Sequence, residues 1–442
     1  MHLRTLILPF TRSPDAPRLR DDPSSMRRLQ WQVFVAITFG YGFFYVCRLS
    51  LNVIKKPLID AGLFDPGELG VIGSALFFSY AIGRVFNGVL VDHANVKRFM
   101  AFGLLASAAI NLMLGSLPAF SVFLVLWGAN GWFQAMGAPA SVVAIARWFP
   151  LKSRGTVYGV WSTSHNIGEA FTWLVTGAIV SHFGAASGMR AAGIVGFLAG
   201  LMILVALHER PEVHGLPGPI DTGTNAPGSS RRSVAALQWQ VARDPRIWLL
   251  AGASGLFYVT RYAINSWGVF FMQEHKGYSA LQAASIISVN ALAGIVGTFF
   301  SGIVSDRFFG GNRHLPALLV GLLFIAATAL FVLGPANPTT DTAAMVLFGV
   351  TMGALLSYLG GMMALDLVDK SAVGTATAIV GVASYLGAAI QDLVSGHFIQ
   401  TGRVVSNGHS HYDFATVGWL WIGAAVLSCA MAQAVWLMPR RA

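Results

Sequence analysis

Apolar runs of roughly 20 residues recur along most of this chain, each long enough to cross a bilayer as a helix. They place spans near 31–54, 69–91, 99–117, 120–146, 155–181, 188–207, 247–272, 279–304, 315–334, 342–365, 372–399 and 414–438. Of the 442 residues 55% are hydrophobic and only 11% are charged, where soluble domains carry about a quarter. The expected fold is an all-α membrane protein, with about twelve transmembrane helices in two pseudo-symmetric six-helix bundles. Residues 209–245, rich in Pro, Gly, Ser and Thr, read as a cytoplasmic linker between a bundle at 31–208 and one at 246–438.

Residues 1–30 hold many arginines, and the short Leu6–Phe10 run is too brief for a signal-peptide core, so they read as a cytoplasmic tail. With that end inside, most Lys and Arg fall on one side, including Lys97, Arg98, Arg147, Arg243, Arg246, Arg307, Arg313 and Lys370. The opposite loops hold only Lys55, Lys56, Arg190, Lys276 and Arg403. The positive-inside rule then puts both termini in the cytoplasm; the expected location is a plasma membrane, the inner membrane in a bacterium. The net charge of +10 follows from this topology, so no nucleic-acid partner is implied. Cys47 and Cys429 suggest neither a disulfide framework nor a metal site.

Three cations, Arg48, Arg84 and Arg261, lie within spans. An arginine at a helix centre costs roughly 2.5–3.5 kcal/mol on insertion scales, so each calls for a function. Tyr45-Val46-Cys47-Arg48 returns as Tyr258-Val259-Thr260-Arg261, and Asn52 as Asn265, both at an offset of 213. Gly88 and Asp92 before Lys97-Arg98 are matched by Gly302 and Asp306 before Arg307, with the aspartates 214 apart. Gly155 and Gly168 are matched by Gly374 and Gly387 at 219. Parallel six-span repeats with a site between them are a transporter architecture.

Tyr41, Tyr45, Arg48 and Asn52 share one helix face, and Tyr258, Arg261 and Asn265 repeat part of it. Two guanidiniums facing one cavity repel each other, and a phosphate dianion satisfies both through forked, charge-assisted hydrogen bonds. The alternative for the arginines is a structural ion pair with an intramembrane carboxylate. Trp161 and His165 share a face of the fifth span, where His165 either lines the cavity or makes an interhelical hydrogen bond. Each tyrosine alone serves packing as well as binding, and Gly131, Gly137, Gly168 and Gly387 read as close-packing points.

On these motifs the chain resembles the major facilitator superfamily and, within it, the organophosphate–phosphate antiporter family. The resemblance is most specific at Tyr45-x-x-Arg48, Ser164-His165-Asn166, Tyr258-x-x-Arg261-x-x-Ile264-Asn265-x-Trp267, Gly311-Asn312-Arg313 and Tyr385-Leu386-Gly387. Asp244–Leu250 and Ser13–Pro17 look most like the branch that senses hexose phosphates. The resemblance implies that Arg48 and Arg261 bind phosphate from either side of a central cavity. It adds His165, Tyr41, Tyr45, Tyr80, Trp161, Asn166, Tyr258 and Tyr385 as cavity positions, with Arg84 where the family has a lysine. The chain departs from the family at Leu49 (often lysine), Ser266 and Ala291 (acidic), Met363 (histidine) and Ala138 (tryptophan).

The expected function is exchange of a small phosphate ester, a sugar or glycerol phosphate, for inorganic phosphate by alternating access. The alternative is a membrane receptor that senses a sugar phosphate and signals to a histidine kinase. The chain has no Gly-x-Ser-x-Gly elbow and no His-Glu-x-x-His helix, so an enzyme is not expected, nor a cofactor. Asp92 with Arg98 and Asp306 with Arg313 are candidate gating contacts at the span ends. Glu169 and Asp392 are acidic where the family has small residues, and are candidates for charge coupling. Glu169 is expected to pair with Arg48 or Arg261 until phosphate displaces it, or else to rest neutral at a helix interface.

Overall fold

The computed structural model describes residues 10–16, 23–117, 119–218, 234–368, 373–406 and 409–438. The tail at 1–9 and 17–22, linker residues 219–233 and the expected start of the eleventh span at 372 lie outside the described residues, as does the cytoplasmic Lys370.

The described residues trace twelve spans in two groups of six. The first group comprises Pro23–Asp60, Pro66–His93, Val96–Leu114, a fourth span made of Phe120–Gln134 and Gly137–Trp148, a fifth span running from Leu151 to Phe183, and Ala185–Ala206. The second comprises Pro245–Glu274, Ala280–Phe308, His314–Leu333, a tenth span running from Pro338 to Leu367, Val373–Thr401 and Ala415–Leu437. Short polar caps set the starts. Asp65 and Glu68 form a capping box at the second span, and Ser279 and Gln282 form one at the eighth.

Among the described residues, ten spans are long and apolar enough to cross a membrane. The fourth and fifth fall outside that count because each is interrupted. In the fourth, Pro139 has no N–H to donate to the carbonyl of Ala135, and the first helical segment ends just before that residue. In the fifth, the helix breaks at Thr163, between Leu151–Ser162 and Ser164–Phe171, and a wide turn follows at Thr172–Thr176, the kind of irregularity often found near sites. The tenth carries a similar turn at Tyr358–Met362.

The first and seventh spans are the most enclosed, each 72% buried over its apolar window, against 39% for the sixth and twelfth. The two arginine-bearing spans therefore run through the middle of the molecule, and the sixth and twelfth face lipid. The sequence repeat is also a packing repeat. A Cβ on Gly168 would strike the Gly42 carbonyl between spans five and one, and a Cβ on Gly387 would strike the Gly255 carbonyl between spans eleven and seven. Gly42 and Gly255 are again 213 apart. The halves meet where span two packs on eleven, five on eight, and one on seven.

Three local features differ from the sequence expectation. The first helix continues to Asp60, so Lys55 and Lys56 lie on a helix rather than in a loop, and Lys55 is fully buried. Lys276, also expected in a loop, is buried against Asp341 at 2.5 Å, and the Tyr278 hydroxyl donates to the same carboxylate at 2.7 Å. A two-stranded hairpin, Arg403–Ser406 paired with His409–Tyr412, precedes the last span.

Residues 10–16 of the expected tail form a strap across the end of the first half. Phe10 packs edge-on against Phe99 and Phe102. The Ser13 N–H donates to Glu209 at 3.0 Å, Asn95 donates to the same carboxylate oxygen at 2.7 Å, and Arg210 pairs with Asp15 at 3.0 Å. Close by, His208 and His214 meet edge-on beside Trp148. Burial pushes His208 down to about 4, and the neighbouring His214 and Lys97 add to the shift, so it stays neutral beneath the strap.

Candidate substrate site

A cavity of about 700 Å³ opens between the two halves. Its outer wall holds Val91 at the end of span two, Tyr158 at the start of span five, Leu365 at the end of span ten and Thr377 at the start of span eleven. All four lie toward the end where the first span begins, so the cavity opens on that face.

The opposite end is closed by contacts that cross between the halves. Lys55 of span one pairs with Asp392 of span eleven at 3.1 Å, with both side chains at most 1% exposed. The Lys55 ammonium also sits 3.6 Å from the ring centroid of Trp267, a close cation–π contact. Lys56 reaches Glu274 of span seven at 3.0 Å. Gly73 makes room for the Asp392 carboxylate, and Gly70 and Gly396 bring the backbones of spans two and eleven together.

Of the residues singled out from sequence, Tyr41, Tyr45, Tyr80, Arg84, Trp161, His165, Tyr258, Arg261 and Tyr385 line the cavity. Arg48 lies just beneath it. Its guanidinium carbon is 4.5 Å from the ring centroids of both Tyr45 and Tyr80. Nε donates to Gln134 at 3.2 Å, and Gln134 is in turn held by Ser107. Among the described residues, Nη1 and Nη2 are buried with no hydrogen-bond partner. A guanidinium carries five donors and no acceptor, and leaving charged donors unpaired in a low-dielectric interior is costly.

Arg261 has different surroundings. Its Nη2 donates to Glu169 Oε1 at 3.1 Å, and Asn265 reaches the same oxygen at 3.4 Å. Its guanidinium carbon lies 5.4 Å from the Tyr258 ring centroid and 5.3 Å from that of Tyr262. Tyr80 stacks on Tyr385 at 4.2 Å and Tyr385 meets Tyr258 edge-on at 5.4 Å, so an aromatic arc joins one arginine to the other. His165 Nδ1 is hydrogen-bonded to the Ser162 carbonyl, which assigns the proton to Nδ1 and leaves Nε2, buried and unpartnered, as an acceptor. Arg84 is exposed to the cavity, 5.7 Å from the Tyr385 ring centroid.

Other expected residues lie elsewhere. Asn166 is not on the cavity wall: it is 1% exposed and its Oδ1 faces Gly294 of span eight. Asp392 belongs to the closed end, away from the arginines, because its cation is Lys55. Asp306 pairs with Arg313 at 2.7 Å, and Arg313 also approaches Asp366 at 3.6 Å, tying the ends of spans eight and ten. Among the described residues Asp92 and Arg98 form no such pair. Both are exposed, and it is the Asp92 carbonyl that accepts from Arg147 at 3.2 Å.

Gln134 and Tyr262 beside the arginines and Lys55 at the closed end were not singled out as site residues from sequence, and Trp267 was named only as part of a motif. Lys55 follows Arg48 by seven residues, two turns along the same face, and that spacing was available as a signal. Gln134 follows Asn130 by four in an otherwise apolar run.

A sequence profile of the Major Facilitator Superfamily matches residues 33–391. The membrane sensor protein UhpC of Salmonella typhimurium is 30% identical over 405 residues, covering 87% of this chain and 89% of that protein. A probable hexose phosphate transport protein of Chlamydia pneumoniae is 31% identical, covering 92% and 90%. The glycerol-3-phosphate transporter of Haemophilus influenzae is 28% identical, covering 95% and 94%. Among solved structures, a bacterial homologue of the human lysosomal transporter Spinster, in an inward-facing conformation, superposes with a TM-score of 0.73 at 16% identity, covering 94% of this chain and 99% of that one. The chain belongs to the major facilitator superfamily, in its organophosphate–phosphate antiporter branch.

Proposed function

We propose that the protein carries a small phosphate ester across the membrane and accepts inorganic phosphate at the same site, so that the two exchange by alternating access. One observation carries this reading: Arg48 presents two buried, unpartnered Nη groups beneath a cavity whose wall holds Arg261. A phosphate group supplies oxygens for both guanidiniums, and its forked geometry suits arginine. The organic part of the ester then extends toward Trp161, His165 and Arg84. A volume of about 700 Å³ suits a sugar or glycerol phosphate, since small-molecule sites run from roughly 300 to 1,000 Å³. The relatives named for hexose phosphate and glycerol-3-phosphate transport support the same substrate class.

The cavity faces the side that carries the basic loops, so by the positive-inside rule it opens to the cytoplasm. Transport to the other face requires the Lys55–Asp392 and Lys56–Glu274 bridges to break as the halves rock. The reading is tested with purified protein in liposomes loaded with inorganic phosphate. Labelled phosphate should enter by counterflow, and glucose 6-phosphate or glycerol 3-phosphate should compete while the free sugar does not. Counterflow that is indifferent to phosphate esters would refute it.

A receptor is the second reading, favoured by the strap at residues 10–16, which lies in the segment resembling the sensor branch, and by the similarity to UhpC. Tight binding of a sugar phosphate with no counterflow would select the receptor.

A further inference from the structure

Glu169 belongs to the first half and Arg261 to the second, so their ion pair crosses between the halves at the base of the cavity. The two side chains are 0% and 2% exposed. Around the carboxylate, span one brings Arg48 and Tyr45. Its own span places His165 one turn earlier, and span seven brings Arg261 and Asn265. Span eight packs against span five but has no ionisable side chain from Ala280 to Ser305. The surroundings are therefore cationic, and the Glu169 carboxylate already occupies a donor that an incoming phosphate would use.

We infer that Glu169 is a built-in counter-anion for Arg261, so that the protein returns without cargo and performs net, proton-coupled uptake of a phosphate ester beside exchange. This rests on the phosphate-ester reading above. When the ester dianion engages Arg261 it displaces the carboxylate. A carboxylate left in the membrane interior without its cation is unfavourable unless it takes a proton. One O–H bond forms on Glu169 as one O–H bond of a hydronium ion on the open side breaks, and the water left behind returns to solvent. After the halves rock, the ester leaves, the proton passes to water on the second side, and the Glu169–Arg261 pair re-forms. One proton travels with each dianion.

The return step shows why the carboxylate matters. A carrier with two uncompensated guanidiniums must bring like charges together in a dry interior, which Coulomb repulsion opposes. Such a carrier has to return with an anion and is an obligate exchanger. With Glu169 on Arg261 the second arginine brings its own anion and the empty return is open.

The experiment uses full-length protein in liposomes, with labelled glucose 6-phosphate and glycerol 3-phosphate as probes and the membrane potential clamped at zero. Vesicles without internal phosphate should accumulate label under an inside-alkaline gradient, by about tenfold per pH unit for one coupled proton. A trapped pH dye should report acid entry in step with label. Glu169→Gln should lose this net uptake to background yet still exchange label against internal phosphate, with a changed KM, which shows that the variant is folded. Glu169→Asp should regain part of the net uptake. Wild-type protein that takes up label only against internal phosphate would overturn the inference and leave the exchanger. So would net uptake by Glu169→Gln equal to wild type. If neither probe is taken up or exchanged by the wild type, the phosphate-ester reading itself falls, and this inference with it.

Discussion

Arg48 and Arg261 occupy matched positions in the two halves, yet their surroundings are not matched. Each follows a tyrosine by three residues and each is 2% exposed. Arg48 is held by the neutral side chain of Gln134 and keeps two Nη groups without a partner. Arg261 is held by the charged Glu169, which comes from the other half. The internal repeat thus sets backbone position and the direction of the two arginines, while the second layer of contacts has diverged. In this arrangement Arg48 is organised to take an anion, and Arg261 to trade one anion for another.

The largest expected effect follows from that difference. Arg48→Lys keeps the charge but removes the forked donor set, and should weaken phosphate-ester binding by roughly 100-fold in equilibrium titration. Arg261→Lys should cost less, about tenfold, because part of the energy of the native contact is already spent on displacing Glu169. Equal losses in the two variants would break the comparison. A smaller change sharpens it: Gln134→Leu frees the Arg48 side chain without touching Arg261, and should reduce affinity by about three- to fivefold, because the lost bond orients the guanidinium rather than contacting the ligand.

Much of this was legible in the sequence. Twelve spans follow from hydropathy, and the site follows from a repeat that puts a rare intramembrane arginine in each half. Tyr41, Tyr45 and Tyr258 share helix faces with Arg48 or Arg261, so spacing placed them beside those charges, whereas Tyr80 and Tyr385 were expected from the family resemblance and His165 from its face with Trp161 together with that resemblance. What stayed hidden depends on contacts between halves or on helix ends. Glu169 had two candidate cations, and only the way the halves meet, with span five on eight and span one on seven, selects Arg261. Lys55 and Lys276 read as loop charges because they follow apolar runs, whereas each is drawn inward by one acidic partner, Asp392 and Asp341. Asp392 could not be assigned to the closed end until Lys55 was known to be buried. The strap at residues 10–16 has no periodicity to announce it, and its partners Asn95, Glu209 and Arg210 lie far along the chain.

The central claim is that Arg48 and Arg261 hold one and the same anion, and a double-mutant cycle on phosphate-ester affinity tests it most directly. Two residues that act on a single ligand group are not independent, so Arg48→Lys combined with Arg261→Lys should bind no more than about twofold more weakly than Arg48→Lys alone, a coupling of about 1 kcal/mol. Losses that simply multiply, to roughly 1,000-fold, would place the two arginines on separate ligand groups and contradict the account.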